Sequence, residues 1–151
     1  MVPPRWGGAL DGPLSRDGFW YDRTGSDDRG PTVVIRYGPV GAQMLGASCR
    51  AAAEFAHGGN DLIIDEMLLS PDIAMQWLDA LKRLTVSFIY VTCPLPELET
   101  RETARNNPAG LARGQLATVQ TSLLRYDLTL DTSTRSPAEL ADVVLGYLSA
   151  C

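Results

Sequence analysis

From residue 41 onward, apolar residues recur every three or four positions in several stretches, which is the period of a helix with one buried face. The spacing predicts five helices, over about residues 41–57, 70–84, 95–106, 109–122 and 137–148. Ser70-Pro71 and Ser136-Pro137 each place a capping serine before a proline, and Glu139 completes a capping box. The helix starts at residues 70 and 137 are therefore the most sharply defined.

Three short apolar runs have the composition of buried parallel strands. They are Leu62–Ile64, Val86–Val91 and Tyr126–Leu130. Because these runs alternate with helical stretches, residues 41–151 are predicted to form an α/β core with a parallel sheet. Three strands make a thin sheet for such a fold, which indicates that part of the sheet is missing.

Residues 1–40 follow a different pattern, dense in Gly, Pro, Asp and Arg, with aromatic residues scattered among them. Gly18–Asp22 and Thr32–Tyr37 predict two short strands, joined by a polar turn from Thr24 to Gly30. We interpret the region as an ordered loop or lid attached to the core. Residues 1–151 are then one domain, a length that suffices for one hydrophobic core.

Net charge and cysteine content limit the kinds of function that the sequence predicts. The chain carries a net charge of −5 and has no block of Lys or Arg, which disfavours nucleic-acid binding. No apolar run reaches the roughly 20 residues of a membrane span. Cys49, Cys93 and Cys151 are widely spaced and form no paired motif, so neither a disulfide framework nor a metal cluster is expected. These features predict a cytoplasmic protein with reduced thiols.

Candidate chemistry begins with an acid and two arginines. Asp65 follows the predicted Leu62–Ile64 strand, and an acid at the carboxyl end of a parallel strand suits the water shell of Mg²⁺. An ordinary turn aspartate explains the same position. Arg101 and Arg105 stand four residues apart on one helix face, where two guanidinium groups can hold phosphate oxygens. The alternative is a solvated helix surface, with Glu97 paired to Arg101.

Two loops complete the candidate site. Residues 106–110 form a break that, with Arg113 beyond it, is typical of a lid closing over a nucleotide, although a polar connection between helices looks the same. Asp131 and Thr132 follow the third predicted strand and suit a loop against an adenine ring, or a plain turn. His57, the single histidine, lies at a helix C-terminus, where a dipole contact accounts for it.

The order and spacing of these segments resemble the chloramphenicol phosphotransferase-like family of P-loop kinases. The similarity covers about residues 38–150 and is carried by residues 61–66, 86–95, 98–105, 110–115, 126–133 and 136–141. It implies a three-layer parallel-sheet P-loop kinase-like fold, and a reaction that moves the γ-phosphate of ATP, with Mg²⁺, to a hydroxyl on a small molecule.

The resemblance also implies roles for the candidate residues. Arg101 and Arg105 are the lid arginines that contact ATP phosphates, and Arg113 belongs to the same nucleotide-binding set. The acid at position 65 takes a Walker B-like place and reaches the metal through water, while Asp131 and Thr132 approach the adenine. The aromatic segment from residue 6 to residue 21 falls on the substrate side of the pocket.

Several features of the family pattern are absent from this chain. No Gly-x-x-x-x-Gly-Lys-Ser/Thr phosphate loop occurs, and Lys82, the single lysine, lies inside a predicted helix. The family's first strand, phosphate loop, first helix and second strand, which ends in the catalytic base, have no counterpart after Met1. Asn106–Pro108 replaces a Gly-Asp-Arg run, and Gln120-Thr121 replaces a His-Gly pair.

These departures from the family pattern determine which activity we expect of the chain. We predict that Met1 is an internal methionine, that the fold is N-terminally incomplete and that no catalytic residue lies within the chain. The sheet would then have a gap between Leu62–Ile64 and Val86–Val91. The chain is expected to be a phosphotransferase-family protein that is inactive as given. The alternatives are a non-catalytic binding or regulatory protein on a degenerate kinase scaffold, and an unrelated α/β enzyme.

Overall fold

Two small sheets and five helices make up the structure, a computed structural model that describes residues 16–28, 30–120 and 124–150. In chain order the elements are β1 (Phe19–Asp27), β2 (Gly30–Tyr37), α1 (Pro39–His57), α2 (Pro71–Leu81), β3 (Ile89–Thr92), α3 (Leu95–Ala104), α4 (Leu111–Gln120), β4 (Leu128–Asp131) and α5 (Pro137–Leu148). The mixed α/β composition agrees with the prediction. None of these helices has the length and apolar character needed to cross a membrane.

The predicted N-terminal hairpin is confirmed. β1 and β2 pair antiparallel, with Phe19 opposite Tyr37 and Asp27 opposite Gly30, so both strands run further into the polar turn than expected. Val33 of β2 is only 4% exposed, and β2 packs against α4. The hairpin is therefore built into the domain. Of the aromatic segment from residue 6 to residue 21, predicted to fall on the substrate side of the pocket, residues 6–15 lie outside the described residues, while Phe19, Trp20 and Tyr21 begin β1.

The main hydrophobic core lies between α1 and α2. Its buried residues are Cys49, Ala53, Leu68, Ile73, Ala74, Trp77 and Leu81. The Ser70 hydroxyl accepts a hydrogen bond from the Ile73 amide at 3.3 Å, which confirms the predicted cap of α2. The same hydroxyl shares a 2.6 Å hydrogen bond with the Tyr37 hydroxyl. One side chain thus both starts α2 and joins it to the hairpin.

The second sheet is a parallel pair, β3 beside β4. Ile89 lies opposite Leu128 and Thr92 opposite Asp131, so the carboxyl ends of both strands meet at one edge. The strands occupy slightly later residues than the apolar runs suggest. Just before the two strands, the Asp127 carboxylate accepts a 2.7 Å hydrogen bond from the Phe88 amide, and the Asp127 amide donates to the Phe88 carbonyl at 2.8 Å.

The predicted strand at Leu62–Ile64 is wrong. Residues 60–69 have no regular structure, and the exposed fractions of Leu62, Ile63 and Ile64 are 43%, 101% and 42%. A strand gains stability from hydrogen bonds to neighbouring strands, and no described strand pairs with this run. The expected three-stranded parallel sheet is therefore two-stranded in the described residues.

Helix boundaries shift by a few residues from the predicted ones. α2 ends at Leu81, before Leu84, and α3 ends at Ala104 because Asn106 adopts a left-handed φ of 53°. The predicted capping box is confirmed at α5. The Ser136 hydroxyl accepts from the Glu139 amide, and the Glu139 carboxylate accepts from the Ser136 amide.

Candidate functional site

Thr132 links the carboxyl ends of the parallel strands β3 and β4 through hydrogen bonds. The Thr132 amide donates to the Thr92 carbonyl at 2.8 Å, and the Thr132 hydroxyl donates to the same oxygen at 3.2 Å. The loop that follows β4 is thereby fixed to the end of β3. Ligands of open α/β sheets bind beyond the carboxyl ends of parallel strands, and this edge is such a place.

Arg101 reaches the same edge from α3. Its Nη1 donates to the Thr132 hydroxyl at 2.8 Å and its Nη2 to the Thr132 carbonyl at 3.0 Å. Its Nε donates to the Glu97 carboxylate at 2.9 Å, which confirms the surface ion pair considered from the sequence. Arg101, Thr132 and the adjoining Asp131 are thus brought together, although 31 positions separate the arginine from the threonine.

Asp131 presents a charged carboxylate at this edge. Hydrogen bonds from the Ser133 hydroxyl at 2.7 Å and from the Ser133 amide at 2.8 Å lower the pKa of Asp131, and the Arg101 charge lowers it further. The exposed carboxylate is therefore ionised at neutral pH and can accept from a hydroxyl or amino group. A cleft of about 200 Å³ beside it is lined by Thr129, Leu130, Asp131, Thr134, Arg135, Leu140 and Val143.

Arg105 and Arg113 do not join this group. Arg105 caps the C-terminus of α3, one turn beyond Arg101, and is exposed. Arg113 extends from α4, where its Nη2 donates to Glu99 of α3 at 2.6 Å and its Nη1 donates to the Gly30 carbonyl of the hairpin at 3.2 Å. Its side chain is only 16% exposed. Arg101 therefore bonds to Thr132 after β4 and Arg113 to Gly30 of the hairpin, although both also pair with acids of α3.

A buried glutamate holds the segment that the sequence predicts to be a lid. Glu102 is 7% exposed, and its carboxylate accepts from the Gly110 amide at 2.8 Å and from the Ala112 amide at 2.5 Å. The Gly110 carbonyl in turn accepts from the Val33 amide at 3.0 Å. The break between α3 and α4 is thus fastened to both α3 and β2. Sequence reasoning missed Glu102, because a polar helix gives no signal of which acid is buried.

Asp65 follows no strand in the part of the chain that the structure describes. It belongs to the exposed irregular segment after α1, so the geometric reason for placing Mg²⁺ near it is lost, and its role stays a prediction. Within residues 16–28, 30–120 and 124–150, no group of three or more His, Cys, Asp or Glu side chains is arranged to hold a metal ion. His57 is the exposed last residue of α1, in agreement with its predicted place.

The residues at the β3–β4 edge fit part of a nucleotide. The cleft lining includes Leu130, Leu140 and Val143, whose apolar side chains suit a flat base, and the Asp131 carboxylate, which suits hydroxyl or amino substituents of the base. Arg101 bonds to Thr132, but three of its five N–H donors are already used by Thr132 and Glu97. The edge therefore fits the base and ribose better than it fits the phosphates.

Comparison with known proteins identifies a family for the chain. No curated protein matches the chain. A family model described as chloramphenicol phosphotransferase-like protein matches residues 24–149, beginning inside β1 and thus earlier than the resemblance from residue 38. The match takes in the second half of the hairpin as well as the α/β core, and it covers well over half of the sequence. The chain belongs to the chloramphenicol phosphotransferase-like family.

Proposed function

We propose that the chain serves ATP-dependent phosphorylation of a hydroxyl group on a small molecule, and that it contributes the nucleotide-binding edge. The observation that carries the proposal is the convergence of Arg101, Asp131 and Thr132 at the carboxyl ends of β3 and β4. Family membership supports a phosphotransferase type of function. The free thiols of Cys49 and Cys93, both buried, agree with a reducing, cytoplasmic setting.

Each residue has a separate part in this proposal. The base rests in the cleft beside β4, and Asp131 accepts hydrogen bonds from its polar substituents or from the ribose. Thr132 holds the guanidinium of Arg101 in a fixed orientation toward the phosphates. Bound ATP and Mg²⁺ would supply the phosphoryl group and part of the charge neutralisation. Asp65 remains the candidate for a water-mediated metal contact.

The chain by itself is not expected to transfer phosphate. Phosphoryl transfer depends on positioned amides and cations around the β- and γ-phosphates, and the 151 residues contain no phosphate-loop pattern. Lys82, the single lysine, pairs with Asp79 at 2.7 Å on the surface of α2. The non-catalytic alternative is favoured by one observation: Arg101 and Arg113 both pair with carboxylates of α3.

Isothermal titration with ADP tests the nucleotide site. We expect Arg101→Met to weaken ADP binding about tenfold, because a charge-assisted hydrogen bond to phosphate is lost. Arg83→Met, which removes an exposed arginine just after α2, is the matched control and leaves binding unchanged. The same samples are expected to consume no ATP above the rate without protein. Equal affinities in the two variants would contradict the proposed nucleotide site, and measurable ATP turnover would contradict the expectation that the chain alone is inactive.

A further inference from the structure

The guanidinium group of Arg101 is engaged on two sides by the protein. The Nη1 and Nη2 atoms donate to the hydroxyl and carbonyl oxygens of Thr132, at 2.8 and 3.0 Å. The Nε atom donates to Glu97 at 2.9 Å. An oxyanion is held most firmly by two parallel N–H donors along one edge of a guanidinium. A phosphate ligand must therefore displace either Thr132 or Glu97 before it can bind in this way.

The two protein partners are held with unequal strength. Thr132 is itself fixed, because its amide and its hydroxyl both donate to the Thr92 carbonyl at the end of β3. Glu97 makes an exposed pair with an arginine one helical turn away, and its side chain is 44% exposed. Pairs of this kind contribute little to stability, so the Glu97 carboxylate is the partner that gives way.

We propose that Glu97 is an internal competitor for an oxyanion site on Arg101. A phosphate-class ligand binds the Nε edge only after the Glu97 carboxylate has moved away, while Thr132 keeps the guanidinium in place. The inference rests on the proposed function, since it takes Arg101 as the group that contacts phosphate. It adds a residue that sets the affinity of that contact.

The negative charges near Arg101 also oppose the binding of a phosphate ligand. Arg101 interacts with the carboxylate of Glu97 on α3 and with that of Asp131 at the end of β4, so one cation is matched by two anions. An incoming phosphate meets this repulsion as well as the occupied Nε atom. Removing the Glu97 carboxylate relieves both effects at once, which makes it the substitution expected to strengthen anion binding.

Inorganic pyrophosphate is the probe, and the NMR signals of the arginine Nε–H groups report its binding. We expect Glu97→Ala to bind pyrophosphate about fivefold more tightly than the unaltered chain. Asp79→Ala is the matched control, because Asp79 is an exposed acid in another helical surface pair and its loss changes the net charge equally. Its affinity is expected to stay unchanged. Adding Arg101→Met to Glu97→Ala is expected to abolish the gain.

Three results would overturn the competitor role. Equal tightening in Glu97→Ala and Asp79→Ala would assign the gain to net charge alone. A gain that survives Arg101→Met would place the anion elsewhere. If Glu97→Ala does not bind pyrophosphate more tightly than the unaltered chain, Glu97 does not have this role. The same conclusion follows if no variant binds pyrophosphate detectably. Because pyrophosphate has no base or ribose, ADP binding at the β3–β4 edge is tested separately and can succeed where this proposal fails.

Discussion

Gly114→Ala is expected to destabilise the chain by about 3 kcal/mol, the upper part of the usual range for overpacking. Gly114 lies in α4, where the helix passes against the backbone of β2. An added Cβ would overlap the carbonyl oxygen of Val33 and come within 2.9 Å of the Val34 Cγ1 atom. Backbone cannot move aside as a flexible side chain can. Urea unfolding followed by circular dichroism measures the change in the free energy of unfolding.

Gly146→Ala is the matched control for this prediction. Gly146 also lies within a helix, α5, but a Cβ built there has no neighbouring atom within 4 Å. The substitution is expected to stabilise the chain by about 0.5–1 kcal/mol, since alanine favours a helix over glycine. If Gly114→Ala were as stable as Gly146→Ala, the close docking of α4 on β2 would be disproved.

Glu102→Gln is expected to cost about 2–3 kcal/mol. The carboxylate accepts hydrogen bonds from the Gly110 and Ala112 amides, and hydrogen bonds to a charged group contribute more than neutral ones. Glutamine keeps one acceptor oxygen but turns an NH₂ group toward the second amide, which leaves two donors facing each other in a buried place. The start of α4 is expected to loosen, and amide hydrogen exchange at Gly110 and Ala112 to speed up.

Glu54→Gln on α1 controls for the loss of one negative charge. Glu54 is exposed, so its substitution is expected to change the free energy of unfolding by no more than about 0.5 kcal/mol. Unaltered exchange at Gly110 and Ala112 in Glu102→Gln would show that the buried carboxylate does not hold the connection between α3 and α4. The segment would then behave as the loose lid that its Asn- and Gly-rich sequence suggests.

Local chemistry explains what could be predicted from the sequence. The caps at Ser70 and Ser136 depend on residues within three positions, so their pattern is visible in the chain itself. The hairpin and the strands β3 and β4 follow from β-branched and aromatic composition in the same way. These elements were found close to their predicted positions, with boundaries shifted by a few residues.

Contacts between distant residues explain the rest. Leu62–Ile64 has the composition of a strand, yet it has no described strand to pair with and remains exposed. The meeting of Arg101 with Thr132 depends on where α3 lies relative to the end of β4, which spacing alone does not determine. Family resemblance assigned both residues to the nucleotide, but it did not predict that they bond to each other. Nor did it indicate that Glu99 and Gly30 hold Arg113.

Nuclear magnetic resonance of the ¹⁵N-labelled chain titrated with ADP tests the central claim most directly. The nucleotide-binding edge at β3 and β4 predicts that the largest amide shifts occur at Thr92, Asp131, Thr132 and Arg135, with the Arg101 Nε–H signal moving at the same ADP concentration. Shifts confined to the hairpin and α4, or no shift at millimolar ADP, would contradict it and leave the phosphotransferase family fold without a nucleotide site at this edge.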